Sequence, residues 1–340
     1  TEQVHEALLK VMEAHPYLKT HLVKKDGDVM QQRRDDAPVT ITMTTLSFEP
    51  TETDFEQRVK PFNLLGEDLY RFEIIQSPSQ CFFFVDIHHI INDGAPRMIF
   101  RQHLQEALEQ SELDSERYTA FDYALDEKAW LDSENGKAAE RWFDELLSGA
   151  ESILYPKSAH PESEKSIEHH IDVTVPQAIV DDFCRKHDLL VSNYFITAFM
   201  QVLHRLTRED NILITTIHHG RQTADMMNTI GMYVKTLPVI STYDLEAQRK
   251  MADFGELVSK MNEQLNTTFD YSVYPLTRLV ERYGMRPNIL FEWQVFDGEG
   301  TPEESESSTN PDAEAVAKIP ITLSVYKASE SEYALGIGYD

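Results

Sequence analysis

Cysteine is nearly absent: Cys81 and Cys184 are the only two in 340 residues. That excludes a disulfide-stapled secreted scaffold and points to a reducing, cytoplasmic setting. Cys81 opens an apolar run and Cys184 sits in a helix-like stretch, so core packing is expected of both. Basic charge is scarce too. Lys and Arg number 31 against 58 Asp and Glu, a net charge of −27. A nucleic-acid partner is excluded, because phosphates need clustered cations, and an anionic membrane surface is excluded for the same reason. Long hydrophobic runs are missing. The most apolar helical stretch, 189–206, is broken by Ser192, Asn193, Gln201 and His204, so it reads as a buried helix and not a span. No targeting segment is visible. What remains is a globular chain long enough to bury a large core in two lobes.

Periodicity supplies the elements. Residues 3–14 carry Val4, Leu8, Leu9, Val11 and Met12 at helical spacing. Residues 38–46 alternate and read as a strand. Residues 69–75 and 81–87 predict a hairpin across 76–79, and Pro96 suits the start of a helix that runs to 109. A helix follows at 138–147. In the second half, strands are expected at 170–175, 211–217, 289–296, 319–326 and 333–339. Helices are expected at 176–187, 192–206, 252–269 and 275–283. The polar, Pro-containing residues 155–168 are read as a crossing between lobes 1–154 and 169–340. Residues 297–312, rich in Glu, Ser, Gly and Pro, are expected to form a mobile acidic loop.

Chemistry concentrates in His88-His89-Ile90-Ile91-Asn92-Asp93-Gly94, where the predicted strand containing Phe82-Phe83-Phe84-Val85 gives way to the predicted helix. Three readings stand. The histidine pair can be satisfied polar filler. It can belong to a metal site, although adjacent strand residues point to opposite faces and no Cys or Glu is near to complete a ligand set. Or one histidine faces a cavity and moves a proton near neutral pH while the aspartate fixes the local geometry.

These residues match HHxxxDG, and the chain here resembles the condensation domains of nonribosomal peptide synthetases, members of the chloramphenicol acetyltransferase-like superfamily. Other segments agree in order. Residues 14–20, from Ala14-His15-Pro16 to Thr20, resemble "RHxxLRT". Phe62-Asn63-Leu64 with Leu69-Tyr70-Arg71 resembles "FDL…PLxR". Phe121-Asp122-Tyr123-Ala124, Trp130-Leu131 and Arg141-Trp142-Phe143 resemble "YxDYAxWQ…WL…YW". Gly220-Arg221 with residues 230–238, from Ile230-Gly231 to Leu237-Pro238, resembles "GR…xGxFVNTLP", and Tyr274-Pro275-Leu276 resembles "YPFE". The family's earliest "SxAQxR" strand and helix have no counterpart, so the chain is expected to be a trimmed piece that opens inside its first helix. Ala95-Pro96 replace the Trp-Ser of many members, which bears on substrate class.

The resemblance implies a mixed α/β fold with two acetyltransferase-like lobes in a V-shaped pseudo-dimer around a tunnel. It implies an enzyme that forms an amide bond by attack of a carrier-bound amine on a carrier-bound thioester. His89 is the catalytic position, and the Gly94 N–H is a candidate oxyanion donor. Asp93 is held in a buried ion pair whose matching partner is Arg221. His88 is structural. His218, His219, Tyr233, Trp293 and Gln294 are possible tunnel-lining residues. No bound cofactor or metal is expected; the substrates ride on 4′-phosphopantetheine. The implied partners are donor and acceptor peptidyl carrier proteins, with adjacent adenylation and carrier domains. Carrier proteins are acidic, so docking on this acidic chain needs a local basic patch. The chain itself is expected to be monomeric. Two other readings are a free-standing acyltransferase with a soluble acceptor, and a non-catalytic docking module. Relatives of the latter kind usually lose the active histidine, which is intact here.

Overall fold

The computed structural model describes residues 1–150, 169–243, 253–294 and 319–339. The expected crossing at 155–168 and acidic loop at 297–312 lie outside the described residues. The chain divides into two compact units, Thr1–Ala129 with Gly220–Val234, and Trp130–His219 with Lys235–Asp340. These differ from the continuous halves 1–154 and 169–340, because residues 130–150 group with the second unit and Gly220–Val234 with the first.

In the first unit, α1 (Glu2–Ala14) buries Leu8, Val11 and Met12 of the stripe its spacing predicts, while Leu9 is exposed. The strands β3 (Ile41–Thr45), β4 (Tyr70–Gln76) and β5 (Cys81–Ile87) form a sheet in that order, β3–β4 parallel and β4–β5 antiparallel. Tyr70, Phe72 and Ile74 alternate along β4 and join Leu8, Val11, Met12, Ile99 and Phe100 in one core cluster. After the short α2 (Glu52–Glu56), Ile99 and Phe100 lie on α3 (Ala95–Leu108), so the helix that follows the histidine motif is held against α1 and β4. Burial of a side chain such as Phe72 stabilises by roughly 1.5–3 kcal/mol; a charge there would break the cluster. A further hairpin, β1 (His21–Lys25) and β2 (Asp28–Gln32), turns at Asp26 and Gly27, whose φ angles of 54° and 99° suit the Asp-Gly pair.

The second unit is built on a six-stranded mixed sheet in the order β6-β11-β10-β9-β7-β8. Its strands are β6 (His169–Pro176), β7 (Asn211–His218), β8 (Lys235–Thr242), β9 (Ile289–Gln294), β10 (Ile321–Lys327) and β11 (Glu332–Tyr339). Ile212 and Ile214 of β7 pack with the helices Gln177–His187, Val191–Thr207 and Phe254–Asp270, while Leu213 between them packs with Glu134–Leu147 and Leu276–Tyr283. Helices therefore cover both faces of the sheet. Cys184 is buried as expected; Cys81, at the first position of β5, the end strand of its sheet, is exposed and not packed in the core as expected of it. Among the described residues no helix is long and apolar enough to cross a membrane.

Candidate active site

β5 delivers the motif. Its ladder with β4 closes at Tyr70–Ile87, and one further bond runs from the His88 N–H to the Leu69 carbonyl at 2.9 Å. The backbone then tightens into a 3₁₀ turn, His89–Ile91, before α3 begins at Ala95. The two histidines therefore do not alternate along a strand: His88 stands at the strand end and His89 opens the turn.

His88 is half-buried. Its Nδ1 accepts the Ile90 N–H at 3.0 Å, and its ring meets Phe62 edge-on at 5.5 Å between centroids. The Arg71 guanidinium lies over the same Phe62 ring at 3.7 Å and donates to Asp86 Oδ2 at 2.7 Å. Phe62 and Arg71, matched in the sequence only as motif letters, thus brace His88. His89 is exposed. Its Nδ1 is 2.6 Å from the Asn92 carbonyl oxygen. A carbonyl oxygen only accepts, so Nδ1 carries the proton and a neutral ring keeps its lone pair on Nε2.

Asp93 is buried and accepts from several donors. Oδ1 takes Arg221 Nη2 at 3.0 Å, and Oδ2 takes the N–H groups of Tyr233 at 2.8 Å and Val234 at 3.2 Å. The Asp93 N–H donates to the Gly231 carbonyl at 3.3 Å. Gly231 is required there, since a Cβ would stand 2.7 Å from Ala120 Cβ and 2.8 Å from the Tyr233 ring. Arg221 Nη1 donates to the Thr229 carbonyl at 2.8 Å and to that of Met226. The expected pair is present, with both side chains 1% exposed; its members fall in different expected halves, 1–154 and 169–340, yet both belong to the first compact unit. Gly94 is exposed at the N-terminal end of α3, and a Cβ there would meet nothing within 4 Å.

The remaining expected residues scatter. Tyr233 is not a lining residue. It is wholly buried beneath the Arg221 guanidinium, 4.4 Å from ring centroid to Cζ. Its hydroxyl accepts from Thr229 at 3.0 Å, and burial pushes its pKa to about 12. Trp293 and Gln294 cannot line one surface together, because neighbours on β9 face opposite ways. Trp293 packs with Phe195 and Tyr333 on the core face, and Gln294 lies opposite, beside Glu292. His218 is half-buried and stacked on Phe269 at 4.8 Å. Burial, with the neighbouring His219, lowers its pKa to about 4. His219 is exposed.

Comparison with known proteins places this geometry. A family model described as the condensation domain matches residues 1–339. Surfactin synthase subunit 1 of Bacillus subtilis (strain 168) is 25% identical over 285 residues, covering 82% of this chain. The chain spans only 8% of that relative's length. Among solved structures, the condensation domain from the Monacolin K polyketide synthase superposes with a TM-score of 0.77 at 13% identity, covering 100% of this chain and 84% of that one. The X-domain from teicoplanin biosynthesis does so with a TM-score of 0.78 at 16% identity, covering 99% and 81%. At such identities the likeness shows a shared fold and does not choose between the activities those folds carry.

Proposed function

This chain belongs to the condensation-domain family, and we propose that it joins a carrier-bound acyl or aminoacyl thioester to a carrier-bound amine, forming an amide bond. The family's function is peptide-bond formation, and its members act on carrier-bound substrates. The observation that carries the proposal for this chain is the state of His89: an exposed ring whose Nδ1–H is tied to the Asn92 carbonyl, leaving Nε2 as a base.

The residues divide the work. The acceptor amine attacks the thioester carbonyl carbon while His89 Nε2 takes a proton from the amine nitrogen. The carbonyl oxygen becomes an oxyanion, and the Gly94 N–H at the start of α3 donates to it, aided by the positive end of the helix dipole. The C–S bond then breaks, and the thiolate of the phosphopantetheine arm receives the proton held by His89. Asp93 is no base, since its oxygens are occupied by Arg221 and two backbone amides; it holds the loop. Delivery of both reactants on tethers contributes through positioning.

The partners are donor and acceptor carrier domains, and the short share of a multidomain relative that the chain spans supports adjacent adenylation and carrier domains. The domain acts as a monomer in the cytoplasm and needs no bound cofactor of its own. The test is transfer in the full-length protein, with its donor carrier acylated and its acceptor carrier aminoacylated. The expected result is the extended thioester on the acceptor carrier, read by mass. A donor that stays loaded, or is only hydrolysed, beside an aminoacylated acceptor contradicts the proposal.

A further inference from the structure

A buried ionisable cluster lies behind the loop, on the segment that grips Asp93. His15, directly after α1, is 0% exposed. Its Nδ1 is 2.5 Å from Glu116 Oε1, and its Nε2 is 2.7 Å from Nδ1 of His103 on α3. The two imidazoles stack at 4.9 Å. The same Glu116 oxygen accepts the Ile230 N–H at 2.7 Å, and the Glu116 N–H donates to the Ala14 carbonyl at 3.0 Å. The Glu116 side chain is 2% exposed. One carboxylate oxygen therefore joins the end of α1 to the Ile230–Val234 stretch, and His15 extends the connection to α3, the helix that starts beside Gly94. All of these residues belong to the first unit.

Stability alone is a poor reason for this cluster. Taking a carboxylate and an imidazole out of water costs about as much as their attraction returns, and apolar residues of the same volume do as well. Such a pair does fix one arrangement of the segments it joins, because every alternative strands a buried charge. Ile230 directly precedes Gly231, whose carbonyl accepts the Asp93 N–H, and shortly precedes Tyr233 and Val234, whose amides hold Asp93 Oδ2. Sliding Ile230 moves all three contacts together.

We propose that Glu116, oriented by His15, is a positioning residue for amide-bond formation. Its carboxylate fixes Ile230–Val234 so that the backbone there holds Asp93, and through Asp93 the loop that presents His89 and Gly94. This deepens the function proposed above and rests on it.

The test compares Glu116→Gln, His15→Ala and His15→Asn in the full-length protein. Gln keeps the shape and an acceptor oxygen but removes the charge, so Ile230 loses its charge-assisted bond. For Glu116→Gln the expected result is a kcat down by about tenfold with KM for the acceptor carrier within about twofold, the signature of lost positioning. The melting temperature falls, since the swap leaves the buried cluster without its countercharge, while the variant stays folded at the assay temperature, and amide hydrogen exchange at Tyr233 and Val234 quickens by about tenfold while β4 and β5 stay protected. His15→Ala gives the same split, and His15→Asn, whose amide N–H replaces Nδ1–H, recovers most of kcat. An unchanged kcat in Glu116→Gln, or a loss of kcat with exchange at Tyr233 and Val234 unaltered, overturns the proposal. If the unsubstituted protein forms no amide at all, the function proposed above fails, and exchange at Tyr233 and Val234 alone decides whether Glu116 sets that segment.

Discussion

Arg221 Nη2 lies 3.0 Å from Asp93 Oδ1, and this contact closes 128 positions of sequence within one compact unit. Neither side chain reaches water, so each charge leans on the other and on the backbone groups that bond it. Removing one partner strands the other at a cost of about 3–5 kcal/mol. Asp93→Ala and Arg221→Ala are each expected to destabilise the protein by that order and to abolish amide formation, though neither residue exchanges a proton in the reaction. Urea unfolding of the singles and the double variant checks this. The double variant is expected to be less unstable than the sum of the singles; strict additivity would show that the two charges do not depend on each other.

Gly94 separates chemistry from folding. Its φ of −68° and ψ of −34° suit any residue, and a Cβ would enter open space. Gly94→Ala is therefore expected to leave the melting temperature within about 3 °C. A methyl beside the proposed oxyanion donor holds the thioester away, so kcat should fall by about tenfold or more. Thermal melts and turnover on one preparation read both; undiminished turnover removes Gly94 from the oxyanion role.

His218 makes stability depend on pH. Burial first, and His219 second, lower its folded-state pKa to about 4, below the ordinary value of 6.5. The unfolded chain thus binds the proton more tightly. The contribution is fully present above pH 6.5 and is lost as the pH falls from 6.5 toward about 4. Unfolding free energies measured at pH 7.5 and pH 5 should differ, and His218→Phe, which keeps a ring to stack on Phe269, should narrow the difference. An equal difference in the variant would assign the acid sensitivity to other groups, with His103, whose pKa burial also lowers, as the next to test.

Where sequence sufficed and where it did not follows from the range of the interactions. The β4–β5 hairpin and the helix after Gly94 are local patterns and form as their spacing predicts, as does the α1 stripe apart from the exposed Leu9. β8 carries Pro238 in its middle, which argues against a strand, yet among the described residues it is the last strand of its sheet, where a missing N–H is tolerated. The β1–β2 hairpin carries a local turn signal, Asp26-Gly27, but the wholly exposed β2 shows no buried alternation beside it. Cys81 sits in an apolar run, but on an edge strand at its first residue, so hydrophobic neighbours in sequence did not mean burial. At the site, the family motif pointed to the Asp93–Arg221 pair, which forms. It could not show that Tyr233 is core, because that depends on the Arg221 guanidinium above its ring. Glu116 was invisible, since its partners His15 and Ile230 lie 101 and 114 positions away.

The central claim is that His89 handles the proton of the attacking amine, and it is tested by the rate of condensation with His89→Ala. Both carriers are supplied fully loaded, so that only the chemical step is compared. His89 is exposed and its Nδ1 bonds only within the turn. The variant should therefore fold as the parent does, while amide formation falls by roughly 10²–10⁴, the loss expected for a general base. Condensation at close to the parent rate by a folded His89→Ala protein would contradict the account.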